Sequence, residues 1–162
     1  MDFPNVEAIP TAELAKLAFL AGEFTGTQEV FPPDGSDPFF MRCVYCGEWA
    51  PGDRFFRMQF VGLHPLMDHA SSTNFVTFRR SQNRFRVWSF IPFWEEPLVG
   101  SAIFEGAEFV LTSPAPHFGE GITHVRIRFS PLDEGIFEIL GEVLTPLGYA
   151  RLLAATFRRE EN

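Results

Sequence analysis

The sequence predicts an all-β protein, an antiparallel up-and-down barrel of about ten strands preceded by one short helix. Three observations predict it. Gly and Pro punctuate the chain every ten or so residues, at Pro32-Pro33-Asp34-Gly35, Pro51-Gly52-Asp53, Ser81-Gln82-Asn83, Glu105-Gly106, Pro131 to Gly135 and Pro146 to Gly148; turns at this spacing mark sandwiches and barrels. The segments between them are rich in aromatic and β-branched residues, with 20 phenylalanines among 162 residues, the composition of a pleated, half-buried surface. No interval is long enough for the crossover helix that a parallel pair needs.

The elements follow in order. Ile9-Pro10-Thr11-Ala12-Glu13-Leu14 reads as a helix start over 11–21: Thr11 caps, Glu13 suits the first turn, and Leu14, Leu17, Ala18 and Ala21 form one stripe before Gly22 ends it. Strands are expected over 23–31, 39–49 and 54–63, then over 72–80 and 84–93 around Ser81-Gln82-Asn83. The next pair, 99–105 and 108–112, turns at Gly106; the last three are 122–130, 136–145 and 149–159. In the hairpin of 122–130 with 136–145, pairing Phe129 with Phe137 puts Val125, Ile127 and Phe129 on one face with Phe137, Ile139 and Val143. The same register sets Arg128 against Glu138 and His124 against Glu142 on the other face, as cross-strand charge pairing favours. The apolar face is expected to point into the barrel and the charged one to solvent. No repeat or linker interrupts the chain, so 1–162 reads as one domain, with the barrel over 22–159.

A chain of this length buries roughly two thirds of its unfolded surface and needs no disulfide framework. Cys43 and Cys46 are its two cysteines, which fits a reducing compartment. The acidic opening Met1-Asp2-Phe3-Pro4-Asn5-Val6-Glu7 is unlike a secretory signal, and no apolar run reaches the ~20 residues of a membrane helix. A soluble, cytoplasmic protein without a membrane partner is expected. The net charge of −8, with Lys16 the one lysine among 13 basic residues, argues against nucleic acid as a partner.

The short helix, then Phe19-Leu20-Ala21-Gly22-Glu23-Phe24-Thr25-Gly26, Gly52-Asp53-Arg54-Phe55-Phe56, Trp88-Ser89 and the closing Thr156-Phe157-Arg158 resemble a bacterial family of unknown function, the domain of unknown function numbered 1579. The likeness runs from about Leu14 to Arg158. It implies a lipocalin-like (calycin) barrel; Phe24, where that family more often has tryptophan, suggests a divergent branch. The opening is also similar to that of the nitrobindin family of heme-binding barrels, and so is Leu144-Thr145-Pro146. There the resemblance implies an iron-binding histidine, but Leu147 and Gly148 stand in its place. A heme site of that kind is not expected, and no cofactor is predicted.

Candidate chemistry is thin. Cys43-Val44-Tyr45-Cys46 has the spacing of a metal knuckle or redox pair, but residues three apart on a strand face opposite sides, which favours structural cysteines. His64-Pro65-Leu66-Met67-Asp68-His69 puts two imidazoles and a carboxylate in one expected rim loop. His64, Asp68 and His69 are therefore the candidate catalytic residues, with His64 and His69 the candidate metal ligands. His117 and His124 flank a second loop and would join them only if the loops meet. Glu95 and Glu96 read as solvated rim charges, and Gly119-Glu120-Gly121 is too short to cradle a phosphate. If Arg79 faces Arg86 across its hairpin, their like charges, with Arg84 nearby, call for an anion or for solvent screening.

The aromatic excess is the most informative feature. A barrel of eight to ten strands is about the size that either fills with side chains or holds one small ligand. A small apolar or amphipathic molecule is the first expectation, with Phe60, Trp88, Phe90 and Phe104 as wall candidates and Arg86, His64 or His69 orienting a head group at the mouth. The alternatives are an enzyme built on His64, Asp68 and His69, or a packed barrel that forms a homodimer through an exposed sheet edge.

Overall fold

The computed structural model describes residues 9–64, 67–92, 94–115 and 118–161. Their ten strands are β1 (Gly22–Val30), β2 (Phe39–Trp49), β3 (Phe56–His64), β4 (Met67–Arg79), β5 (Arg84–Phe90), β6 (Leu98–Glu105), β7 (Glu108–Pro114), β8 (His124–Asp133), β9 (Ile136–Thr145) and β10 (Gly148–Arg159). Each pairs antiparallel with the next, and β1 pairs with β10, so the barrel is closed, as expected. Closure removes the free edges through which sheets otherwise associate.

The short N-terminal helix is present over 11–20, and its geometry differs from expectation. Instead of one helix over 11–21 there is a single α turn, α1 (Thr11–Leu14), followed by a 3-10 helix, η1 (Ala15–Leu20). Thr11 is not the cap; Pro10 occupies that position without a side-chain bond. The 3-10 geometry repeats every three residues, which is the spacing of Leu14, Leu17 and Leu20, all essentially inaccessible, while Ala18 is exposed. These leucines plug one end of the barrel, called here the helix end.

The alternation of each strand decides what enters the bore. Near the helix end Phe24, Tyr45, Phe56, Phe85, Phe109, Phe137 and Phe157 are buried and fill it with rings. Phe24 meets Phe137 edge-on with centroids 4.9 Å apart, Phe137 stacks on Phe157 at 5.2 Å, and Phe85 meets Phe109 at 5.3 Å. Such offset and edge-to-face contacts are the preferred aromatic geometries.

Two registers require correction. Phe129 pairs with Ile139 rather than Phe137, Arg126 rather than His124 faces Glu142, and Arg128 lies opposite Leu140 rather than Glu138. A bulge between Pro131 and Asp133 leaves a tight turn at Glu134-Gly135, so the strands run on through residues read as loop and the pairing moves by two. An even shift preserves the faces: Val125, Phe129, Phe137, Ile139 and Val143 remain buried. In the β4–β5 hairpin Arg79 pairs with Arg84 and Arg86 with Thr77, because the connection is a 3-10 turn (Arg80–Gln82) ending at Asn83 in the left-handed region, φ 49°.

Candidate functional site: a cavity in the half of the barrel away from the helix

The packed rings occupy only the helix end. Beyond them the inward side chains shorten, and a cavity of about 350 Å³ opens toward the far end, within the range of small-ligand sites. Its two sides differ in chemistry. Leu111 from β7, Val125 and Ile127 from β8, Ile139 from β9 and Leu152 and Leu153 from β10 make an apolar wall. A bulge between Arg151 and Leu153 turns Leu152 inward, where it is buried.

The opposite side carries a polar arc: Gln28 from β1, Cys43 from β2, Ser72 and Asn74 from β4 and Ser89 from β5, with Ser113 of β7 at the seam. Asn74 is buried, and its amide Nδ2 donates to the Met58 carbonyl and to Ser72 Oγ, each at 3.4 Å, the long end of hydrogen-bond geometry. The Cys43 thiol points to Gln28 Oε1 at 3.6 Å, and burial pushes its pKa up to about 11. Met41 of β2 and Met58 and Phe60 of β3 interrupt the arc with apolar side chains, and Ile91 and Phe118 reach in from the loops at the far end. There Trp94 meets Phe118 edge-on at 5.3 Å, joining the β5–β6 and β7–β8 connections.

The structure separates the residues singled out from sequence. Phe60 lines the cavity. Phe104 is inside but below it, against Phe85 and Phe109 at 5.7 and 5.3 Å, with the Lys16 ammonium over its ring. Trp88, Phe90 and Arg86 do not enter the bore. On β5 the inward positions are Phe85 and Val87, both buried, and Ser89 in the cavity wall, so 86, 88 and 90 face outward. Trp88 packs externally on Phe55 and Phe90 on Phe75, at 6.2 and 6.1 Å, and the Arg86 guanidinium lies 5.6 Å from the Trp88 ring centroid. Arg84, Arg86, Thr112 and His124 border a separate external groove, in which His124 Nδ1 pairs with Thr123 Oγ1 at 3.1 Å.

The expected rim loop around His64 is instead the end of a hairpin: β3 continues to His64 and β4 begins at Met67, with these two paired. The side chains of His64, Asp68 and His69 lie outside the described residues, as does His117. Cys43 and Cys46 occupy opposite faces of β2, Cys43 buried and Cys46 outward, both free. Burial, then the carboxylates of Glu48 and Glu23, raise the Cys46 thiol against the opposing pull of Arg57. Glu95 and Glu96 are exposed, and Leu147 is fully exposed in the β9–β10 turn.

Sequence reasoning missed the polar arc. A signal for it was present: on β4, Ser72 and Asn74 share the parity of buried Val76, and on β5 Ser89 shares that of Phe85 and Val87. The same rule would have turned Trp88 outward, since it alternates in phase with Arg84 and Arg86.

No family model matches the chain, and no curated protein matches it. Among solved structures the chain is similar to Rv2717c from M. tuberculosis, with a TM-score of 0.66 and 16% identity over 92% of this chain and 98% of that one. A likeness at this identity concerns the barrel fold. It does not reach either family named on the sequence fragments.

Proposed function

We propose that this protein is a lipocalin-like binding module of the cytoplasm that holds a small apolar or amphipathic molecule inside the barrel. One observation carries the reading: a cavity of about 350 Å³ with an apolar wall on one side and a polar arc on the other, in a barrel whose other half is occupied by buried aromatic rings. A barrel serving only as a scaffold gains stability from continuing its ring packing along the whole bore. Here Phe39, Phe60, Phe118 and Phe129 are joined by serine, asparagine and aliphatic residues around open space. Among the described residues, neither a histidine nor a carboxylate lines the cavity, and Cys43 is held as the neutral thiol at physiological pH; these features support retention over catalysis.

The test compares native and denatured masses of freshly purified protein and then titrates amphipathic probes into stripped protein by calorimetry. An adduct of a few hundred daltons, or saturable binding that Ile127→Trp abolishes without unfolding the barrel, is expected. A bare mass together with no binding of any probe overturns the reading.

A further inference from the structure

The inference here rests on the binding reading above and adds the class of ligand. Among the described residues the cavity wall has no formal charge. Its polar members are amides, hydroxyls and one thiol, and burial keeps that thiol neutral. The chain is not short of charge; it directs it outward. Arg126 pairs with Glu142, Arg128 with both Glu105 and Glu108, and Arg57 with Glu48, all on outward positions of their strands. An ionised head group entering the bore would lose its water without meeting a counter-charge, and an unpaired buried ion is far costlier than a hydrogen-bonded neutral group.

We propose that the barrel selects a neutral amphipathic molecule, with an alcohol, amide or ester head on the arc of Gln28, Cys43, Ser72, Asn74 and Ser89 and its hydrocarbon against β8 to β10, and that it discriminates against carboxylates and ammonium ions of the same length. Asn74 is the anchor. Its Nδ2 contacts are both stretched to 3.4 Å, and among the described residues no donor reaches its Oδ1, so the amide offers a donor and an acceptor side by side. The neighbouring hydroxyls rotate to donate or accept as the head requires. At about 30 Å³ for each water-sized group, the cavity takes about a dozen non-hydrogen atoms, the size of a ten-carbon chain with a small head.

The experiment is calorimetric titration of the stripped protein at neutral pH with decanol, decanamide, sodium decanoate and decylammonium chloride. Decanol and decanamide are expected to bind at least about tenfold tighter than either ion, a difference of about 1.4 kcal/mol. Asn74→Leu is expected to narrow that margin while retaining binding through the apolar wall. Because Asn74 is buried, circular dichroism checks its folding, and the milder Ser72→Ala/Ser89→Ala pair supplies the same readout if the leucine variant does not fold. Decanoate or decylammonium binding as tightly as decanol overturns the neutral-ligand inference and leaves the cavity reading intact. Failure of all four probes overturns this inference, and together with a bare native mass it removes the cavity reading as well. A margin unchanged in both variants refutes the assignment of the head group to this arc.

Discussion

The Tyr45 hydroxyl donates a 2.8 Å hydrogen bond to the backbone carbonyl of Leu20, tying the last residue of the 3-10 helix to a ring at the centre of the packed half. Tyr45 is wholly buried and touches Phe24, Phe60, Phe137 and Phe157. Tyr45→Phe keeps those ring contacts and leaves the carbonyl without its donor, which costs about 1–3 kcal/mol. Urea unfolding should show the midpoint fall with little change in slope. An unchanged midpoint would mean that the carbonyl finds another donor.

Gly47 lies beneath the same carbonyl. A Cβ at this position would overlap the Leu20 carbonyl and press on the Tyr45 hydroxyl, and the first of these is backbone that cannot swing aside. Gly47→Ala is therefore expected to lose about 3 kcal/mol or more, at the severe end of overpacking. Gly35→Ala is the contrast, because its Cβ would meet nothing within 4 Å and only its positive φ of 80° opposes the change. Thermal melts of both should separate them clearly, with Gly35→Ala losing about 1 kcal/mol.

On the outer face, Arg126 bonds Glu142 through Nε and Nη2 at 3.2 and 2.9 Å while its guanidinium lies 3.6 Å from the Tyr149 ring centroid. Three strands, β8, β9 and β10, meet in that one side chain. Arg126→Lys keeps the charge but loses the planar fork and the stacking, and a loss of about 1 kcal/mol is expected. A double-mutant cycle with Tyr149→Leu should return a coupling near half of that; no coupling would make the stacking incidental.

The Cys43 thiol supplies a pH dependence whose sign follows from burial. Its folded pKa is raised from 9.0 to about 11, so the unfolded chain loses this proton at a lower pH than the folded one. The contribution is fully present below pH 9 and disappears as pH rises toward 11. Stability measured in urea should fall across that window. Cys43→Ala should flatten the fall without abolishing it, since burial raises the Tyr45 hydroxyl in the same direction. The same burial makes Cys43 slow to react with iodoacetamide at pH 8.

Strand positions and barrel class were legible because the turns that separate them carry Gly, Pro or Asn at fixed offsets, which is local chemistry. What the pattern did not disclose was long-range or three-dimensional. The tight turn at Glu134-Gly135 carries the hairpin three residues past the expected register and the bulge after Pro131 takes one back, so the Phe129 pairing moved by two, and no alternation rule anticipates either. Parity tells which side of a strand faces inward, but not how far along the bore a residue sits, so Phe104 was placed in the cavity although it lies among the rings below. Trp88 and Phe90 were misplaced for a different reason: aromatic character was given precedence over the phase set by Arg84 and Arg86. The division of the bore into a packed half and an open half depends on which heights of ten strands coincide, a property of the closed barrel and of no single segment.

Nine of the ten ladders join strands adjacent in sequence, whereas the tenth, in which Phe24 meets Arg159 and Val30 meets Leu153, links opposite ends of the barrel's sequence. The hairpins form with little loop-closure entropy, while the seam must wait until the rest of the sheet has curled round. Until then β1 and β10 are bare edges, each able to accept a strand from another molecule. Refolding at high concentration is thus expected to yield exchanged dimers, in which the β10 of one chain completes the barrel of its neighbour, and dilution during renaturation is expected to suppress them.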